Sequence, residues 1–165
     1  MRAVYCIIIL FLFISGAFAQ NVATINGKPI SNKEFMWFYK KNHGGNANAS
    51  VKDLEAYLNQ YINFKLKVLD ARDMGLDTDT AYLAEIKNYE TTLAAQKRVP
   101  KTSMIYSMLM NEYKEAALMF NVSEIKIWNK SKDDQDSLER DWMDALKKKY
   151  TVKINQNEVK KLAKL

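Results

Sequence analysis

The sequence predicts a mainly α fold, a helical core closed by one small β-sheet. Three observations predict it. Apolar side chains recur at helical spacing through most of the chain. Two short extended runs early in the chain are joined by Asn26-Gly27, which supplies the positive φ angles of a two-residue hairpin turn. Near the other end, Thr151-Val-Lys-Ile-Asn155 alternates polar and apolar residues as a half-buried strand does.

The chain opens with Met1-Arg2, runs through an apolar stretch from Ile7 to Ile14 and reaches Ala17-Phe18-Ala19 before Gln20. That is the charged, apolar and small-residue order of a secretory signal, so residues 1–19 are expected to be removed and 20–165 to form one domain. The apolar stretch is shorter than the about 20 residues that a spanning helix needs, which argues against stable membrane insertion after cleavage. The sole cysteine, Cys6, lies inside the expected signal, leaving no disulfide framework in the rest.

Val22 to Ile25 and Lys28 to Ile30 form the expected hairpin, with Pro29 keeping the second strand at an edge. Ser31 and Glu34 make a capping box for a helix that carries Phe35, Trp37, Phe38 and Tyr39 and ends near Asn42-His43. The following stretch, 43–49, is rich in glycine and asparagine and reads as a loop. Ser50 and Asp53 start a second helix over 51–74, whose apolar residues spread over about 220° at 100° per residue. Gly75 is its natural terminator.

Asp77-Thr-Asp-Thr80 offers N-caps for a helix over about 81–98, ended by Pro100. Further helices are expected over about 104–124 and 133–150. Asn155 and Glu158 start a short last one. A lone terminal strand would leave its backbone groups unpaired, so its expected partner is the N-terminal hairpin.

The formal net charge is +6. Acidic residues are interspersed among the lysines and no stacking or zinc motif accompanies them, so nucleic acid is not an expected partner. His43 lies beside glycines without a nearby nucleophile, and no His, Cys or carboxylate spacing resembles a metal site. Asp133-Asp-Gln-Asp136 lacks the glycine and distal glutamate of a calcium loop and reads as a helix N-terminus. No catalytic residue, metal or cofactor is expected.

The informative features are apolar. Met104, Met108, Met110 and Met119 share one helix, and methionine can repack around dissimilar partners. Lys65 and Arg72 fall near the middle of the wide apolar arc of the second helix, either to snorkel outward or to line a partly open cradle. On these grounds, replacing both by methionine is expected to stabilise the fold while weakening the binding of a client chain.

Val22-Ala-Thr-Ile-Asn-Gly-Lys-Pro-Ile-Ser31 with Glu34-Phe35, then Tyr61-Ile-Asn-Phe-Lys-Leu-Lys-Val68, Ala71 and Gly75-Leu-Asp-Thr-Asp79, resembles the N-terminal domain of SurA/PrsA-type foldases. Glu112-Tyr-Lys-Glu-Ala-Ala-Leu-Met-Phe120, Lys126-Ile-Trp-Asn-Lys130, the run from Trp142 to Tyr150, and Val152-Lys-Ile-Asn155 are similar to the C-terminal part of SurA-like proteins of the Bacteroidetes type. The resemblance implies a SurA-like chaperone core built from both ends of the chain. Relatives carry parvulin isomerase domains between these segments, for which the chain has no room, so prolyl isomerase activity is not expected.

The function so implied is that of a secreted, periplasmic, non-catalytic module that binds unfolded or extended segments of exported proteins, outer-membrane proteins among them. Its rivals are an isomerase-related protein, a subunit for one folded partner and a membrane-surface helical protein. From the amphipathic faces, the candidate peptide-binding residues are Trp37, Tyr39, Tyr57, Lys65, Met104, Met108 and Tyr113.

Overall fold

The computed structural model describes residues 20–45, 48–96 and 98–164, so the expected signal and Cys6 lie outside the described residues. Helix accounts for 73% of the structure and a three-stranded antiparallel sheet is its only other regular layer among the described residues, which makes the fold mainly α as expected. The described residues form two compact units, one of 20–59 with 151–164 and one of 60–150.

In the first unit, β1 (Asn21–Ile25) and β2 (Lys28–Ser31) form the hairpin, followed by α1 (Asn32–Asn42). Asn26 and Gly27 both take positive φ, 49° and 77°, as the two-residue turn requires. The C-terminal strand β3 (Val152–Ile154) pairs antiparallel with β1, in the order β2-β1-β3, so the two ends of the described chain meet in one sheet as expected. Asn26 secures this closure twice. Its backbone N–H donates to the Thr151 carbonyl and its side-chain oxygen accepts from the Thr151 N–H, each at 2.8 Å.

Helix α1 packs on β1 and β2, and α6 (Gln156–Leu162) packs on β1. Both have side-chain caps: Ser31 Oγ accepts from the Glu34 N–H and Asn155 Oδ1 from the Glu158 N–H. Asn32 ties them together through Nδ2, 2.8 Å from Glu158 Oε2. The interior of this unit includes Val22, Phe35, Leu54, Leu58 and Val159.

Helix α2 (Val51–Asp73) contributes its first nine residues to this unit and the remainder to the second. It ends at Gly75, whose φ of +76° is strained for any residue with a Cβ. A single 3₁₀ turn (Leu76–Thr78), not foreseen, leads to Asp79, which caps α3 (Thr80–Ala95) by accepting from the Ala81 and Tyr82 N–H groups. Helix α3 stops three residues short of the expected boundary. Gln96 is already extended, and the chain turns tightly with the Val99 N–H on the Gln96 carbonyl, which leaves Val99 free of the helical geometry that Pro100 disfavours.

Helix α4 (Met104–Ser123) runs antiparallel to α3, since Tyr82 reaches the Lys114 carbonyl near one end while Leu93 packs with Tyr106 and Met110 near the other. It passes directly into a π-helical turn (Glu124–Trp128), then α5 (Lys132–Lys149). Acidic residues occupy the first turn of α5 and lysines its last, matching the helix dipole. No described helix is long and apolar enough to cross a membrane.

Candidate peptide-contact surface

The π turn interrupts the helices of the second unit, and its sequence explains how it is held. A turn widened by one residue leaves backbone groups that normal helical bonds do not satisfy. Here the Asn129 N–H reaches back to the Glu124 carbonyl, and Gln135 Nε2 donates to the carbonyls of Trp128 and Lys130 at 3.3 and 3.1 Å. Alternate side chains take opposite roles. Ile127 is buried, and Lys126 points its ammonium at Asp70 Oδ2, 3.1 Å away, beside the Trp142 ring. With those two anchored, Ile125 and Trp128 are left 44% and 45% exposed.

Phe120, from the last turns of α4, is 53% exposed and meets Trp128 edge to face, with ring centroids 5.0 Å apart. Two large rings in contact with each other and with water form an apolar patch that the second unit does not use internally. The patch continues along α4. Ile105, Met108, Leu109, Ala116, Met119 and Phe120 lie within about 120° of the helix circumference at 100° per residue, and none is fully buried. The half-buried Glu112 interrupts the same arc, and Leu109 packs partly against Leu93, Tyr106 and Met110. From Ile105 to Phe120 the stripe is about 22 Å long at 1.5 Å per residue.

Beneath the turn lies a charge network centred on the buried Asp70, whose charged partners are partly exposed. Asp70 Oδ2 accepts from Trp142 Nε1 at 2.9 Å and faces Lys126, while Oδ1 faces Lys149 at 3.4 Å. Burial pushes this carboxyl up, but the Trp142 N–H and the two ammonium groups outweigh it and hold it below the ordinary value. Lys149 also pairs with Asp73 at 2.7 Å, and the Tyr150 hydroxyl donates to the same carboxylate at 2.8 Å; these two lower the Asp73 carboxyl. The network fixes the turn to α2 and α5 and orients it.

The sequence-derived candidates are divided between the units. Trp37, Tyr39 and Tyr57 belong to the first, and Lys65, Met104, Met108 and Tyr113 to the second. Tyr39 is only 4% exposed, stacked on His43 and meeting Tyr57 edge to face, so it serves the interior of its unit rather than a contact surface. The ring of His43 is accordingly a packing element, with Nδ1 2.7 Å from the Tyr39 carbonyl. Tyr57 is half-buried, its hydroxyl accepting from Asn42 Nδ2, and Trp37 is half-buried on α1.

Lys65 is also reassigned. Its ammonium lies 2.7 and 2.8 Å from the two oxygens of Glu115, a carboxylate only 3% exposed, with Arg72 3.6 Å from the same group. Lys65 is thus committed to Glu115, while the Arg72 side chain stays 39% exposed. Tyr113 stacks on Tyr89 at 3.7 Å and donates to Glu85, which raises its hydroxyl above the ordinary value. Met104, outside the stripe, is 53% exposed, and Met108, within it, is half-buried.

Phe120, Ile125 and Trp128 were not among the expected contact residues. The signal was present, since Ile125 and Trp128 sit just beyond an amphipathic helix, but helical periodicity continued through them conceals the π turn. Among the described residues no cluster of His, Cys, Asp or Glu is arranged to hold a metal ion. Set against known protein families, curated proteins and solved structures, the chain has no significant match.

Proposed function

We propose that this chain is a non-catalytic polypeptide-binding module that shelters unfolded or extended segments of exported proteins in the periplasm. The observation that carries it is the exposed patch of Phe120, Ile125 and Trp128, continued by the methionine-containing stripe on α4. A stripe about 22 Å long matches an extended segment of about seven residues at about 3.3 Å each. Capture follows from burying apolar client surface, which favours unfolded over native clients because only the former expose it. The resemblance of both terminal regions to SurA/PrsA-type foldases supports the same reading.

The test is aggregation of an unfolded outer-membrane protein, followed by light scattering after dilution from urea. The wild-type chain should suppress scattering at near-equimolar concentration, and Phe120→Ser with Trp128→Ser should remove the effect while leaving the helical circular dichroism intact. Undiminished aggregation in the presence of the wild type, or full protection by the double variant, would refute the proposal. A proline-peptide isomerisation assay run alongside should give no turnover.

A further inference from the structure

The two outer edges of the sheet are built differently. In β1, residues 22, 24 and 26 turn their backbone groups toward β3, as shown by the Asn155 N–H on the Val22 carbonyl and the Asn26 N–H on the Thr151 carbonyl. The alternation of an antiparallel ladder then makes Ala23↔Ile154 and Ile25↔Val152 the pairs without mutual hydrogen bonds. The N–H and C=O groups of Val152 and Ile154 therefore point away from β1, toward the open side of β3.

On the opposite edge, the same alternation puts Pro29 where an outward N–H would be, opposite Thr24. Proline has no N–H to offer, so that edge is blunted against strand addition. The strand β3 contains no proline, and Lys153 is its one charged residue. Ile154 is 37% exposed, and beside it lies a depression of about 420 Å³ lined by Asn21, Ala23, Lys153, Ile154, Gln156 and Asn157. The cross-strand pairs Ala23↔Ile154 and Thr24↔Lys153 both line it, and Lys153 is exposed and makes no ion pair among the described residues.

We infer that the free edge of β3 accepts an extended client segment as a fourth strand, with apolar residues flanking an acidic one. The identity of the occupant rests on the polypeptide-binding reading above. The pattern comes from β3 itself: an added strand places alternate side chains beside Val152 and Ile154 on one face of the sheet and the intervening one beside Lys153 on the other. An acidic residue there meets the ammonium directly. A second copy of β3 fits worse, because antiparallel self-pairing centred on Lys153 sets two lysines opposite each other.

The probe is a capped, fluorescein-labelled nine-residue peptide alternating valine and glutamate, titrated by anisotropy with amide hydrogen exchange read at Val152 and Ile154. Both amides should exchange more slowly with peptide bound. Ile154→Pro removes an outward N–H together with the Ile154 side chain, Ile154→Ala removes most of the side chain alone and should weaken the peptide less, and Lys153→Glu leaves the backbone untouched. Ile154→Pro and Lys153→Glu should each weaken the peptide at least tenfold, and Lys153→Glu should instead take the valine–lysine peptide. Binding that survives both variants, or unprotected amides, overturns the inference. Concentration-dependent dimerisation abolished by Ile154→Pro also overturns it by giving the edge to a second copy. Aggregation suppression without amide protection rejects the edge and spares the parent proposal; the absence of suppression counts against the parent proposal, while the edge is decided by amide protection alone.

Discussion

Lys65 Nζ lies within 2.8 Å of both carboxylate oxygens of Glu115, a residue that sequence inspection passes over and that the structure buries to 3% exposure. Removing one member of a buried pair costs more than the pair is worth, because the survivor stays charged and desolvated. Lys65→Met leaves Glu115 with Arg72 as its nearest cation at 3.6 Å. It should lower unfolding free energy by about 3 kcal/mol in urea denaturation. The double change Lys65→Met with Glu115→Met should return to within about 1 kcal/mol of wild type. Replacing Lys65 and Arg72 together by methionine, expected from the helical wheel to stabilise, should instead be worse than Lys65→Met alone.

Acid should loosen the second unit through Asp70 and Asp73. Both carboxyls are held below their ordinary value of 3.8 in the folded chain. Over the interval below about pH 4, the unfolded chain binds protons that the folded chain does not, so stability present above that pH is lost as the solution is acidified through the native values. Thermal midpoints should be flat from pH 7 to 5 and fall below about pH 4. Asp70→Asn should flatten the fall while lowering stability at neutral pH. A midpoint that falls equally in the variant would show that other carboxylates govern acid unfolding.

Phe120→Ser and Trp128→Ser should separate binding from folding. Surface positions away from caps and cores usually change stability by no more than about 0.5 kcal/mol, and both side chains are about half exposed. Each single variant should shift the thermal midpoint by only a few degrees while raising the concentration needed for half-maximal aggregation suppression several-fold. A large loss of stability would mean that the pair belongs to the core.

At Asn26, two substitutions isolate two contributions. Asn26→Gly keeps the left-handed backbone at φ 49° but deletes the side-chain bond to the Thr151 N–H, a loss of about 1 kcal/mol. Asn26→Ala adds the left-handed strain of an ordinary residue, about another 1 kcal/mol. Equal effects in chemical denaturation would show that only the bond contributes, and an Asn26→Gly variant as stable as wild type would show that only the backbone does.

Most element boundaries were legible because they are set locally. Ser31, Asp79 and Asn155 each accept a hydrogen bond from the first turn that follows. Gly75 and the Asn26-Gly27 turn answer backbone angles that few other residues tolerate. The pairing of β3 with the hairpin was inferred from unpaired backbone groups, a local deficit with one evident partner. The candidate contact residues were less legible. Periodicity shows which side chains share a helix face, but it could not show that Tyr39 is covered by His43 and Tyr57 or that Phe120 and Trp128 remain open.

What the sequence determined alone, then, is the order of helices and strands and the closure of its ends in one sheet, because caps, turns and spacing act over a few residues. Only the tertiary structure decided that Lys65 belongs to Glu115, 50 residues away, that Asp70 gathers Trp142, Lys126 and Lys149, and that one sheet edge is blunted by Pro29 while the other stays open. These depend on which charges share a desolvated space and which backbone groups face outward, and both are properties of neighbours distant along the chain.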